Sequence, residues 1–335
     1  MKLFIGPMSK NVVDAAIEFD QENKGSDLIG FIPSRRQVET KVLGAGYVCG
    51  WTTEKFVNYV KSRNTQLLIK RDHGGPGQGS SDDDGLLSLL NDIKAGVKYL
   101  HIDPWKKYRT IEAAAACTIT LLNQCYLADP TCMFEIGTEE GIRKYSPEEL
   151  DEFIGLVESG VDPSVFDCVV YAVVQSGTNV VGMANTGYFD AERSAAMAAV
   201  CHKHGLKAKE HNSDYLTIEE LKSRADCGVD AFNIAPEFGV METEILIDML
   251  HSAGFHDELN AFVCVCLKSG KWERWVPFDG DFISDELGYL TLLCGHYNFE
   301  TDAYRNGRQR LITGGFDFDR IVKDAIKQRI KEIVK

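Results

Sequence analysis

No apolar run in this 335-residue chain approaches the roughly 20 residues that a membrane-spanning helix requires. The first residues, Met1-Lys2-Leu3-Phe4-Ile5-Gly6, lack the long apolar region and small-residue cleavage site of a secretory signal. Cys-x-x-Cys does not occur, which argues against a structural zinc knuckle. Basic residues are the minority, 36 Lys and Arg against 50 Asp and Glu, for a net charge of −14. That balance disfavours a nucleic acid or an anionic membrane as partner. After the first apolar stretch, Gly6-Pro7-Met8-Ser9 contains no G-x-G-x-x-G. A doubly wound nucleotide-binding sheet would normally show one there.

What is present has the balance of a soluble globular enzyme, with 44% apolar and 26% charged residues. Most of the ten cysteines sit in apolar runs, among them Cys132, Cys168 and the pair Cys264 and Cys266. Buried free thiols in a reducing cytosol account for this, so a cytoplasmic location is expected. Short apolar runs read as strands at Leu3–Ile5, Asp27–Ile32, Gln66–Ile69, Tyr99–Asp103, Cys132–Ile136, Cys168–Val174, Leu206–Lys209 and Ala231–Ile234. Helical patterns fill the gaps at Val12–Glu22, Glu54–Ser62, Gly85–Ala95, Ile111–Ala128, Pro147–Glu158, Ala191–His204, Ile218–Arg224 and Val240–Ser252. Ser146-Pro147-Glu148-Glu149 and Thr217-Ile218-Glu219-Glu220 are capping boxes, and Gly96, Gly160, Gly205 and Gly228 stand where C-terminal caps belong. Eight βα units in about 255 residues are the count and length of a (β/α)8 TIM barrel. Residues 256–335 are expected to form a mostly helical extension packed on it. This segment carries Trp272, Trp275, Phe278, Phe282, Tyr289 and Tyr297, and then a basic amphipathic helix from Phe318.

In such a barrel the catalytic groups stand at the C-terminal ends of the strands. Strand three ends in Arg71-Asp72-His73 and opens into a glycine-rich loop, Gly74 to Gly79. Strand four ends in His101-Ile102-Asp103, strand five in Glu135-Ile136-Gly137-Thr138-Glu139, and strand seven in Lys209-Glu210-His211-Asn212-Ser213-Asp214. His73 and His211, with either Glu135 or Glu139, would make a divalent metal site suited to zinc, or to manganese or cobalt. Lys209 lies two residues before His211, so both face the same way if the strand continues. It could pair with Glu135, bind a phosphate or form a Schiff base. Arg35 or Arg36, after strand two, could clamp an anion. Ser176-Gly177-Thr178, after Gln175, could offer backbone N–H groups to one.

The chain resembles the class II tagatose-bisphosphate aldolase accessory-subunit family, the so-called non-catalytic subunits. The motifs that carry the resemblance are Asp72-His73-x-Gly75-Pro76, His101-Ile102-Asp103, Ile136-Gly137-Thr138-Glu139, Val173-Val174-Gln175-x-Gly177 and His211-Asn212-Ser213-Asp214-Tyr215. They run in the family's order from strand three to strand seven. The family is predicted to form (β/α)8 barrels and is distantly similar to catalytic class II aldolases. Those take a proton-carrying Asp and a zinc His from strand three, and another zinc His from strand seven. Asp72, His73 and His211 match these positions. A further zinc histidine of those enzymes follows strand six. Here that position reads Gln175-Ser176-Gly177-Thr178-Asn179, without histidine, and a Glu from strand five could substitute.

Two activities follow. One is a metal-dependent aldolase or epimerase acting on a phosphorylated or acidic sugar through a metal-stabilised enediolate. Asp72 would move the proton, and Asp103 and Glu210 would orient hydroxyls. Arg35, Arg36, Gln175, Ser176, Lys209, Asn212 and Asp214 would meet the substrate. The other is an accessory subunit that stabilises a catalytic aldolase partner. The intact set of acid, base and candidate ligands favours the enzyme, and a homo-oligomer is expected.

Overall fold

A computed structural model of the chain describes residues 1–25, 27–63, 65–276 and 286–335. Its strands are β1 (Lys2–Ile5), β2 (Ile29–Phe31), β3 (Leu68–Gly74), β4 (Tyr99–Ile102), β5 (Met133–Ile136) and β6 (Val169–Val174). The short antiparallel pair β7 (Val180–Val181) and β8 (Ala184–Asn185) follows, then β9 (Lys207–Glu210) and β10 (Ala231–Ile234). Among the described residues the other eight pair in parallel and close into a barrel, with β1 between β2 and β10. The molecule is the (β/α)8 barrel that the count of units predicts.

Helices α1 (Lys10–Glu22), α2 (Thr53–Ser62), α3 (Leu86–Ala95), α4 (Ile111–Ala128), α5 (Pro147–Gly160) and α6 (Pro163–Phe166) wrap the first half. Helices α7 (Ala191–Lys203), α8 (Ile218–Asp226) and α9 (Pro236–Ser252) complete the ring. The two capping boxes form as expected at Ser146 and Thr217. Gly96, Gly205 and Gly228 take left-handed backbone just past their helices, where a Cβ would be strained. Gly160 differs, because it is the last residue of α5 rather than a cap. A Cβ there would meet Ile119 Cδ1 of α4 at 2.3 Å, so its smallness serves helix packing.

Strand alternation sorts the core. Leu3 and Ile5 face the helices, while Phe4 between them points into the barrel and joins Ile32, Tyr171 and Ala231 in a small inner cluster. That cluster is an aromatic floor, with Phe4 and Tyr171 edge to face at 6.0 Å.

After the ring come α10 (His256–Lys268), α11 (Glu286–Cys294), α12 (Asp302–Thr313) and α13 (Phe318–Val334). Helix α13 buries Val322, Ile326, Ile330 and Ile333 at helical spacing. Its Lys323 reaches Glu18 of α1 at 2.5 Å and its Arg329 reaches Glu237 of α9 at 2.6 Å. Trp272 is buried and the Trp275 carbonyl accepts from Gly182 N–H at 2.9 Å, which ties this segment to the β7–β8 hairpin. Phe278 and Phe282 lie outside the described residues. All ten cysteines are free; five are buried, and Cys264 is exposed while Cys266 is not. Among the described residues no helix is long and apolar enough to cross a membrane.

Candidate metal centre and active site

Strand β3 runs further than its apolar run suggests, to Gly74, and it is irregular at its end. Arg71 pairs with Leu100 and Gly74 with Ile102, so three steps on β3 face two on β4. Such a bulge inserts one residue and breaks the in–out alternation. Lys70 points in and Arg71 out, and then Asp72 and His73 both reach the mouth. His73 carries the distortion with φ of 45°. The glycines beside it serve this geometry. A Cβ on Gly74 would sit 2.7 Å from the His101 carbonyl, and one on Gly75 would sit 2.7 Å from the Asp103 carbonyl. The Gly74–Gly75 turn therefore brings β3 against the end of β4, where Asp103 N–H donates to Gly74 O at 2.6 Å.

Three imidazoles converge at the mouth. His73 from β3, His101 from β4 and His211 after β9 have ring centroids 5.0–5.2 Å apart. They offer ligand atoms that all lie within 4.8 Å of one another. Each ring has its other nitrogen fixed. His73 Nδ1 bonds Asp103 Oδ2 at 2.7 Å, His211 Nε2 bonds Glu135 Oε1 at 2.7 Å, and His101 Nε2 bonds the Gly137 carbonyl at 3.0 Å. The inward nitrogens are thus the lone-pair sides of rings whose tautomers the surroundings select. Asp72 stands among them, its oxygens 3.7 Å from His73 Nε2, 3.7 Å from His101 Nδ1 and 3.8 Å from His211 Nδ1. Glu139 Oε2 is 3.4 Å from His73 Nε2. Among the described residues His211 Nδ1 is buried without a hydrogen-bond partner. Three imidazole nitrogens, adjacent carboxylates and one orphaned lone pair are a donor set that suits a divalent cation of the zinc, manganese or cobalt kind.

Acid and imidazole stabilise each other's charge here: against the effect of burial, Asp72 and Glu139 hold the His73 imidazole well above its ordinary range, so a metal would displace a proton from it. Burial by itself would raise the Asp72 carboxyl, but positive charge on His73 and His211 outweighs it and holds the group well below the ordinary range. Burial opposes the shift of Glu139 too, and the His73 charge brings it down to about 2. Burial lowers the His211 imidazole, against the pull of Asp72 and Glu135, and so favours its neutral, coordinating form.

Beneath the histidines lies a buried ionic layer. Glu135 bonds Lys209 Nζ at 2.9 Å, pairs with Lys70 and supports His211. Lys70 Nζ stands 4.1 Å from the Tyr171 ring centre and Lys209 Nζ 4.5 Å from that of Phe4, so both ammonium groups rest on the aromatic floor. Burial, with the charge of Lys209 beside it, pushes the Lys70 ammonium down to about 7 although Glu135 pulls the other way. Glu135→Leu leaves both lysines without a buried counter-charge. It is expected to cost about 3–5 kcal/mol of stability by denaturant unfolding. A loss below about 1 kcal/mol would mean that the pair is not held dry.

Several expected roles change in this setting. Glu135 has both oxygens engaged by Lys209, Lys70 and His211, and holds the His211 ring from behind. The third histidine is His101 from strand four, a position not anticipated as a ligand. Asp103 is fully buried and holds His73, with Thr138 Oγ1 donating to it at 3.2 Å, so it positions a ring and does not meet substrate. Glu210 points outward to Arg224 of α8 at 3.2 Å and accepts from Ser213, away from the mouth. Burial raises its carboxyl to about 7. Arg35 is buried and occupied by Glu39, Asp83 and the Gly75 carbonyl, so it clamps loops and not an anion. Gln175 is buried between Tyr145 N–H and the carbonyls of Thr138 and Arg143. Ser176 is buried with an unpartnered hydroxyl, and Lys209 is sealed in the ionic layer. Asp214 accepts from the N–H groups of Ala235 and Glu237 at the start of α9, although it also borders the mouth.

The residues that line the 210 Å³ mouth cavity are Asp72, His73, Glu139, Asn212, Arg36 and Lys106, with Gln78 and others at the rim. Asn212 donates to Glu139 Oε2 at 2.8 Å. Lys106, at the end of β4, is a further cation beside Arg36. Burial lowers its ammonium, as does the Arg36 charge, against Asp103, Glu139 and Asp72.

No family model matches the chain, and no curated protein matches it in sequence. Solved structures do match in shape. A probable tagatose 6 phosphate kinase from Sinorhizobium meliloti 1021 aligns over 99% of both chains with 18% identity and a TM-score of 0.82. The fructuronate-tagaturonate epimerase UxaE from Cohnella laeviribosi, in a glycerol complex, aligns over 99% of this chain and 81% of its own, with 11% identity and a TM-score of 0.61. The fructose-bisphosphate aldolase of Campylobacter jejuni aligns over 98% and 87%, with 11% identity and a TM-score of 0.55. At such identities these likenesses show the shared barrel.

Proposed function

We propose that this chain is a metal-dependent enzyme of the aldolase or epimerase kind, acting on a ketose that bears a phosphate or carboxylate. The observation that carries the reading is the set of three histidines from three strands, each with its outer nitrogen held and its inner one turned toward the carboxylate of Asp72, that of His101 also accepting from His73 N–H at 3.2 Å. His73, His101 and His211 would hold the metal. A divalent cation bound there supplies Lewis-acid polarisation of a carbonyl oxygen. Asp72 takes or returns a proton at the carbon or hydroxyl next to that carbonyl. Glu139 and Asn212 orient hydroxyls. Arg36 and Lys106 hold the anionic end at the rim. The neighbouring barrels of known name, an aldolase and an epimerase, are in keeping with chemistry at a carbon beside a carbonyl.

The test is the metal content and activity of the chain purified without any partner. About one divalent ion per chain is expected, with turnover of a ketose phosphate or a keto-sugar acid that chelation abolishes and metal restores. Stoichiometric metal with no turnover of such sugars until an aldolase is added would instead support the accessory-subunit reading. Arg36→Ala and Lys106→Ala are each expected to raise KM about 10-fold or more and leave kcat near wild type, since a charge-assisted bond to an unreacting group is lost. Unchanged KM in both would place the anion elsewhere.

A further inference from the structure

The mouth is one of several cavities among the described residues. A second one, of about 290 Å³, lies between the start of α1, α9 and the C-terminal helices. The two are separated by paired backbone, where Tyr47 N–H donates to Arg36 O at 3.0 Å and Val48 N–H to Gln37 O at 3.2 Å. Arg36 and Gln37 line the mouth, and Tyr47 and Val48 line the second cavity.

His296 is the unusual group there. It is 2% exposed, and among the described residues neither ring nitrogen has a hydrogen-bond partner. Gly239 of α9 makes its seat, since a Cβ at that position would lie 2.7 Å from the His296 Cβ. Burial holds the imidazole down to about 3, so the ring is neutral at physiological pH and offers one donor and one acceptor. Leaving such groups unpaired costs about 1–3 kcal/mol each, so an internal role alone is a poor reason to keep a histidine there.

The rest of the lining selects a ligand class. Glu242 is buried on the wall with Ser9, Asn11 and Tyr304 donating to it. Tyr47, Phe299 and Tyr304 present aromatic surface. Every cation of the lining already has an acid: Lys10 with Asp14 at 2.6 Å, Arg308 with Asp319 at 2.7 Å, Lys323 with Glu18 at 2.5 Å and Arg305 with Asp302 at 2.9 Å. An anionic ligand would have to break one of these pairs, and a cationic one would meet Glu242 with both oxygens already taken by three neutral donors. A neutral one with donors and acceptors needs only the free imidazole. We propose that this cavity binds a neutral hydroxyl-rich molecule, an unphosphorylated monosaccharide or polyol, with His296 as the polar group of the wall that bonds its hydroxyls. The inference is independent of the metal-centre reading.

The test is calorimetric titration of the full-length chain with D-galactose, galactitol and galactose 6-phosphate. Saturable binding of at least one neutral probe to wild type is expected. His296→Phe should weaken it about 10-fold or more while thermal stability is kept or raised, because two unpaired buried atoms are removed. His101→Ala should bind as wild type does, so failure at the mouth and failure here read separately. In wild type the bound probe should shift the His296 ring ¹⁵N resonances, a measurement that stands even if His296→Phe does not fold. No saturable binding of either neutral probe, tighter binding of the phosphate, or binding with the His296 resonances unmoved would each overturn the proposal.

Discussion

Replacing His101 by alanine is expected to strip the chain of its divalent metal as completely as His73→Ala or His211→Ala. The three rings come from β3, β4 and the end of β9, and each is held by a different partner, so no one of them can swing to replace another. Losing a ligand removes a metal bond outright and should lower affinity by more than about 100-fold. Glu135→Gln removes only a supporting carboxylate, for which about 10–100-fold is typical. The ranking is the discriminating feature: if Glu135 were a ligand and His101 a bystander, the two variants would change places. Metal analysis of the purified variants, followed by competition with a chromophoric chelator, gives the order directly. Affinity should also fall as pH drops, because imidazole must be neutral to coordinate, and the fall should begin above the ordinary imidazole range because Asp72 and Glu139 raise His73. Stoichiometric metal retained by His101→Ala would remove β4 from the centre.

The barrel was legible because its strands are short, apolar and regularly spaced, and because eight such units leave little other topology open. At the site, the strand ends were found but the direction of each side chain was not. Period-two alternation was sufficient for some of them. Lys209 and His211 share a face, and by the same rule Glu210 between them turns outward to Arg224, away from the mouth. The rule also puts His101 and Asp103 on one face of β4, which was the available sign that His101 joins His73. The family resemblance points instead to a histidine after strand six, where this chain has Gln175-Ser176-Gly177-Thr178. The bulge at β3 had no clear sign in sequence, since nothing in Arg71-Asp72-His73 states that two consecutive side chains enter the mouth. The occupation of Arg35 by Glu39 and Asp83 was hidden for a different reason. Asp83 lies 48 positions away, and only the closed barrel brings it near. Lys70 was overlooked as the polar end of an apolar run, yet it shares a buried carboxylate with Lys209.

Asp72→Asn is expected to lower turnover about 10²–10⁴-fold while the metal stays bound. The amide has the shape of the carboxylate, and the three imidazoles keep their own supports, Asp103, Gly137 and Glu135. What is lost is a group that can accept a proton. Asp72 suits that task by position, since the β3 bulge sets it in the mouth with oxygens 3.7–3.8 Å from all three ligand rings. Asn233 Nδ2 lies 3.4 Å from Oδ1 and holds the carboxylate from the opposite wall. Its proton affinity is set by its neighbours: burial raises it, and the charges of His73 and His211 lower it further than that. Charge in the mouth therefore keeps Asp72 ionised, and its role as proton carrier rests on its position. Glu139 is the competing candidate. It is more exposed, 3.4 Å from His73 Nε2, and tied to Asn212, so its removal should act mainly on substrate orientation. Glu139→Gln is accordingly expected to change KM more than kcat, and Asp72→Asn the reverse. Exchange of substrate protons with solvent deuterium separates the two without reference to product. Exchange should vanish in Asp72→Asn and persist in Glu139→Gln, and the opposite pattern would assign the proton to Glu139.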